Sequence, residues 1–302
     1  MEIAKQIIRI RLSQMIINER YKKGDFKIPI HLALGHEAIA VAVDSMMLDN
    51  DQLVLSHRNI HYNLARVRSL KPEIDEYLLK KEGLAKGELG SMNLANEEKG
   101  IVYTSSILGN NLSVASGVAL GKKVMDEDGI VIVVTGDGAI EEGSFYESLL
   151  FSKSNDLPLL VIIENNEWSL ATKINERRCA INIKRFSEGL DIGYELFTSN
   201  DVYEYVEKLK GLRAFVLKNK TPFCLEVKLT TLGYWYQKTE EFPDGKFINY
   251  HAGSAPNVTL KNGPVIEKNQ NDPVFFINKY FDKKILESVS QEILIKLERE
   301  LQ

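Results

Sequence analysis

Two stretches, IVIVVTGDG (130–138) and LPLLVIIENN (157–166), joined by a helix-spaced segment at 142–154, decide how this chain is read. Ile130 to Val134 and Leu157 to Ile163 are unbroken apolar runs rich in β-branched residues, the pattern of strands buried on both faces. Glu142 to Ser154 has helical spacing, so the three segments form a β-α-β unit. A right-handed crossover makes the two strands parallel and lays helix over their sheet. Thr135-Gly136-Asp137-Gly138 and Glu164-Asn165-Asn166 then leave their strands at the same edge, where open parallel sheets bind ligands. Asp137 and Asn166 are 29 positions apart, about one β-α-β length, a spacing that can bring their side-chain oxygens together.

The residue types at that edge narrow the chemistry. Glycines on both sides of Asp137 allow a tight turn and close approach of a ligand to the backbone. A dinucleotide turn also uses such glycines, but Gly143 comes too late for its spacing. A carboxylate aimed at a bare diphosphate repels it unless a cation lies between. Magnesium takes hard oxygen ligands, and Asp137, Asn166 and a carbonyl such as that of Trp168 suit it. Taken singly, Asp137 could cap the next helix and Asn165-Asn166 could form a turn. The pair after successive strands favours a metal-bridged phosphate site.

Working outward, Met1 to Glu19 has the spacing of an amphipathic helix, YKKGDFKIP (21–29) reads as a loop, and Glu37 to about Met47 as a second helix. Gln52 to Ser56 reads as a short buried strand, and His57 to Val67 leads into another helix. Residues 83–111 are rich in Gly, Ser and Asn without clear periodicity, as functional loops often are. A helix over Asp201 to Asn219, a strand at Phe223 to Leu229, a long loop over 233–272 and a helical end from Asp272 complete the pattern. The expectation is one domain over 1–302, with an N-terminal helical arm to about 25 and a peripheral C-terminal extension over about 233–302. Apolar residues at 44% exclude a disordered chain, and interleaved charges summing to −4 leave no basic footprint for nucleic acid. Lys5, Arg9 and Arg11 interrupt the first helix, so no signal peptide or membrane span is expected and a cytoplasmic location follows. Cys179 and Cys224 stand far apart and in no CxxC spacing, so neither disulfides nor thiolate zinc is expected.

GDG followed one strand-helix-strand later by NN resembles the diphosphate and metal motif of thiamine diphosphate enzymes. GDGAIEEGSFYESLLFSKSNDLPLLVIIENNEWSLAT (136–172) is similar to the alpha subunit of the decarboxylase component of 2-oxoacid dehydrogenase complexes, the pyruvate and acetoin dehydrogenase alpha-like group. The likeness extends to IHLALGHEAIAVAV (30–43), GELGSMNL (87–94) and ILGNNLSVASGVALGKK (107–123), and covers most of residues 26–232. It implies a three-layer α/β thiamine diphosphate-binding fold, a central mostly parallel sheet with helices on both faces. It implies thiamine diphosphate and Mg2+ as cofactors, with Asp137, Asn166 and the Trp168 carbonyl as metal ligands. Leu108 and Gly109 would meet the aminopyrimidine, Gly136, Asp137, Gly138 and Ala139 the diphosphate, and Arg58 would lie near the diphosphate. The family's histidine two positions after that arginine is Ile60 here, which leaves His61 as the candidate catalytic replacement. His251, in HAGS, resembles the histidine of the family's late catalytic loop, with Tyr234 to Tyr250 inserted before it.

The resemblance also implies a beta subunit that supplies the activating glutamate, in a heterotetramer of two alpha and two beta chains. The substrate would be a small 2-oxo acid, and a lipoyl carrier or another acceptor would take the acyl group. Blander roles suit other residues: His31 and His36 as structural, Glu141 and Glu142 as stabilisers of a helix N-terminus, Glu147 as a packing or subunit-contact residue. Two alternatives stay open. LGNNLSVASGVAL is also approximated in transketolases, so the chain could be the N-terminal half of a split transketolase-like enzyme. It could also be a non-catalytic, cofactor-binding regulatory protein.

Overall fold

The computed structural model describes all 302 residues, and six of its strands form one sheet. The strands are β1 (Gln52–Ser56), β2 (Ile101–Ser105), β3 (Val131–Gly136), β4 (Leu159–Asn165), β5 (Gly193–Phe197) and β6 (Phe223–Lys228). Their order is β2-β1-β3-β4-β6-β5, and every neighbouring pair is parallel. β3 and β4 run in register from Val131 opposite Leu159 to Gly136 opposite Glu164. Asp137 and Asn165-Asn166 therefore leave the sheet side by side.

Strand alternation divides the core into two layers. Ile132, Val134, Leu160, Ile162, Leu225 and Val227 face the larger one, with helices α1 (Glu2–Lys22), α2 (Glu37–Met46) and α3 (Ile60–Val67). Val131, Val133, Leu159, Val161, Ile163 and Cys224 face the smaller one, against α4 (Asn110–Val124) and α5 (Gly143–Ser154). The helix α6 (Val202–Asn219) packs with α2 in the larger layer. This is the α/β arrangement with helices on both faces that the β-α-β pattern implies.

Three regions differ from the sequence expectation. The N-terminal helix is no arm: Arg11 is fully buried and bonds Glu37 at 2.6 Å and Asp272 at 3.0 Å, while Gln14 and Asn18 bond backbone at Ala33 and Ala255. A buried cation needs such partners, so α1 is tied to α2 and to the late loop at once. The region from 233 onward is not peripheral either, because Tyr250, Ala255 and Val258 join the core of α1, as do Leu286, Ile293 and Leu297 of the last helix, α7 (Lys283–Glu300). Within the expected loops lie β2 and a hairpin that pairs Tyr234–Gln237 with Lys246–Asn249. No helix is long and apolar enough to cross a membrane.

Candidate active site

The carboxyl ends of β1 to β4 open into a cleft of about 620 Å³, part of it open to solvent. Ser56 ends β1, Ser105 ends β2, Gly136 ends β3 and Glu164 lies near the end of β4, and all four line it. Gly109 takes φ 74° at the N-cap of α4, and a Cβ there would stand 2.4 Å from Ser144 Oγ, so only glycine serves at this turn. The turn is tied to the sheet by Asn111, whose Nδ2 donates to the Val134 carbonyl at 2.7 Å. Ile107 and Leu108 project apolar side chains, 69% and 47% exposed, at the mouth.

Asp137 is almost wholly buried, and burial raises its pKa to about 6. The Arg177 guanidinium opposes that rise, 3.3 Å from Asp137 Oδ2, as do the backbone N–H groups of Asn166 and Asp137. Glu141 bonds both Arg177 and Arg178 at 2.9 Å and so ties the short helix Ile174–Arg177 to the turn after β3. After β4 the chain turns sharply at Glu167, φ 65°. Asn165 Oδ1 accepts the Glu167 N–H at 3.1 Å and Asn166 Oδ1 accepts the Trp168 N–H at 3.0 Å. The asparagines thus do form a turn, and that turn sets Asn166 beside Asp137.

Two groups of histidines border the cleft. His36 Nδ1 and His61 Nε2 each lie 2.9 Å from a Glu164 carboxylate oxygen, and Tyr62 Oη donates to the same carboxylate at 2.8 Å. Although burial works the other way, these partners hold Glu164 well below the usual carboxylate range. His31, His57 and His251 form the second group, with ring centroids 4.7 to 5.9 Å apart. Burial and the nearby Arg58 charge push His57 down to about 4 and His251 to about 3, and His31 lower still. Their ligand atoms lie close enough for a metal, but the guanidinium beside all three opposes a cation there. Arg58 is itself buried, donates to the Leu32 carbonyl and lies 3.5 Å from His251 Nδ1, with no carboxylate paired to it. A buried cation without a counter-ion is suited to an anionic ligand.

A family model described as the dehydrogenase E1 component matches residues 5–233. The chain belongs to that family. Among curated relatives of this E1 chain, the pyruvate dehydrogenase E1 component subunit alpha of Rickettsia conorii is 26% identical over 96% of the chain and 86% of its own length. The mitochondrial counterpart from Saccharomyces cerevisiae is 25% identical over 91% of the chain and 61% of its own length. The alpha subunit of acetoin:2,6-dichlorophenolindophenol oxidoreductase from Bacillus subtilis is 31% identical over 56% of the chain and half of its own length. Membership makes this an oxidoreductase chain and implies thiamine diphosphate as its cofactor.

The residues at the cleft suit such a group. Arg58 awaits an anion, Thr135 Oγ1 is buried without a hydrogen-bond partner, and nothing stands within 4 Å of where a Gly136 Cβ would be. Of the residues singled out in the sequence, Arg58, Leu108, Gly109, Gly136, Asp137, Gly138, Ala139, Asn166, Trp168 and His251 all line the cleft of the E1 chain. His61 does not. It is fully buried in the first turn of α3 and directed at Glu164, and His57, at the end of β1, takes the place at the cleft. His36, read as structural, reaches the cleft wall, and Glu141, read as a helix stabiliser, serves instead to anchor Arg177. Arg177 had no sequence motif to announce it, apart from lying eleven residues after Asn166.

Proposed function

We propose that this chain is the cytoplasmic alpha subunit of a thiamine diphosphate- and magnesium-dependent 2-oxoacid dehydrogenase, which decarboxylates a small 2-oxo acid together with a beta subunit. The observation that carries this reading is Asp137 beside Asn166, at the ends of adjacent parallel strands, in a cleft that also holds the unpaired Arg58. The Asp137 carboxylate, Asn166 Oδ1 and the Trp168 carbonyl would supply three hard oxygens to Mg2+. Arg177, which now neutralises Asp137, is long enough to turn to a phosphate oxygen when the ion takes over that charge. The Gly138 and Ala139 N–H groups would receive the diphosphate, and Leu108 would support the cofactor from the mouth. Bound there, thiamine diphosphate supplies a nucleophilic carbon and an electron sink for decarboxylation. His251 stands where it could exchange a proton with substrate.

Activation of the cofactor calls for a free glutamate at the aminopyrimidine. Glu164 is the only glutamate lining the cleft, and His36, His61 and Tyr62 already occupy its carboxylate. That supports a beta subunit as the source, in an assembly of two alpha and two beta chains, with a lipoyl carrier or another acceptor taking the acyl group. The packing of α7 against α1 supports treating residues 1–302 as one domain.

A split transketolase-like enzyme is the second reading, and the three neutral imidazoles favour it. Neutral rings both donate and accept, and so suit a hydroxylated substrate better than a methyl group. Turnover of pyruvate against a ketose phosphate separates the two.

The central test is calorimetric titration of Mg2+ and thiamine diphosphate into the full chain, alone and co-expressed with a beta-type chain. Asp137→Asn should weaken metal-dependent binding by at least the roughly 100-fold that lesser losses at metal sites reach. Its melting temperature should stay near wild type, because burial already disfavours the charge at this position. Near-wild-type affinity in Asp137→Asn refutes the assignment.

A further inference from the structure

A chain of hydrogen bonds runs under the cleft from Glu164 to Asn166. His36 Nδ1 meets Glu164 Oε2 at 2.9 Å, His36 Nε2 meets Thr231 Oγ1 at 2.8 Å, and Asn166 Nδ2 donates to the same Thr231 oxygen at 2.8 Å. His36 caps α2, Glu164 belongs to β4 and Thr231 lies just after β6. His36 and Thr231 are each 1% exposed, so water does not compete for these bonds.

Chemistry fixes the direction of every proton. An ionised carboxylate only accepts, so His36 must present its Nδ1–H to Glu164. The Trp168 N–H fixes the Asn166 oxygen, so Asn166 Nδ2 donates to Thr231 and the Thr231 hydroxyl proton is left for His36 Nε2 to accept. Having given that proton, the Thr231 oxygen accepts from Asn166 Nδ2. The amide nitrogen of Asn166 is therefore held toward Thr231 and its oxygen toward the Trp168 N–H. A flipped amide would set two oxygens against each other at Thr231 and two N–H groups against each other at Trp168.

We propose that His36 and Thr231 are positioning residues which transmit the fixed acceptor character of Glu164 to the Asn166 amide and hold its oxygen ready for the metal. This rests on the magnesium reading above. Orientation of a ligand by the groups behind it is a general feature of metal sites, and losing one such group typically weakens metal affinity 10- to 100-fold. A merely structural role for the chain would lower the melting temperature and leave metal affinity alone.

The test is Mn2+ titration followed by electron paramagnetic resonance, with thiamine diphosphate present, in whichever of the two states above the wild-type chain retains metal. Thr231→Val keeps the shape, removes both bonds and should weaken Mn2+ binding 10- to 100-fold. Thr231→Ser keeps the hydroxyl and should bind within about twofold of wild type. His36→Asn can still reach Glu164 but not Thr231, and should reproduce the Thr231→Val loss; combining the two should add little, since both cut one chain. If Thr231→Val melts too early to titrate, His36→Asn carries the test. Wild-type affinity in the variant that carries the test, or an equal loss in Thr231→Ser, overturns the proposal while the parent reading stands. A wild type that retains no metal in either state overturns both.

Discussion

Two histidine clusters border one cleft and differ in a single partner. His36 and His61, with ring centroids 5.3 Å apart, share the Glu164 carboxylate, and the ring nitrogens turned toward it are bonded. His31, His57 and His251 have no carboxylate among them, only the Arg58 cation; an unpartnered buried Nδ1 occurs in both clusters, at His31 and at His61. In the first cluster the imidazoles are donors locked to an anion. In the second, repulsion and burial keep them neutral and leave them available to a ligand. The same side chain becomes scaffold or working surface according to what faces it, so histidine content alone says little about which residues act.

The largest effect should come from removing the partner that defines the closed cluster. Glu164→Leu strands the N–H groups of His36 and His61 and the Tyr62 hydroxyl, and should cost roughly 3–5 kcal/mol, the usual penalty for breaking a buried charged network. In a chain of this size that is a fall in melting temperature on the order of 10 °C. A variant that melts within 2 °C of wild type would erase the distinction between the clusters.

An acid titration of stability sharpens the contrast. The open-cluster rings have folded pKa values far below the ordinary 6.5, so the unfolded chain binds more protons between pH 6.5 and about 4. Their contribution is intact above pH 6.5 and is lost as pH falls, by up to about 1.4 kcal/mol per pH unit for each ring. Glu164, whose pKa is depressed, stabilises above the ordinary carboxylate range and loses that contribution only as pH drops below about 4.5. Urea denaturation across pH should therefore show His57→Gln flattening the slope between 6.5 and 4. Glu164→Gln should flatten only the more acid part. Identical profiles for the two variants would contradict the assignment of partners.

The smallest effect on stability is expected at the open cluster near neutral pH. His251→Gln should leave the unfolding free energy within about 1 kcal/mol of wild type, as at other sites with few fixed bonds. Cofactor affinity should hold within about twofold, while turnover by the assembled enzyme falls on the order of 100-fold. Unchanged turnover would reduce this histidine to a lining residue.

The sequence brought most of the candidate site within reach because its key residues adjoin strand ends. Asp137 and Asn166 are fixed by the register of β3 and β4, and the turn at Gly109 by a backbone conformation that only glycine serves well. His61 was misplaced because the helix begins at Ile60 and turns that ring inward, a phase that the HRNIH spacing does not specify. Arg177 was invisible because it reaches Asp137 from a short helix, Ile174–Arg177, across 40 positions, a contact that only the fold makes.

Taken alone, the sequence determined the four inner strands, the edge where their carboxyl ends meet and the identity of the residues there. Strands buried on both faces need unbroken apolar runs, and that requirement is written locally. Tertiary structure alone decided the two outer strands, β2 and β5, whose half-exposed faces demand no such run, and the pairing of buried polar groups. His36 and His61 find Glu164 across 128 and 103 positions, and Arg11 finds Asp272 across 261. Such partners are chosen by the packing that encloses them, because a buried charge takes whichever complement the folded layers bring within reach.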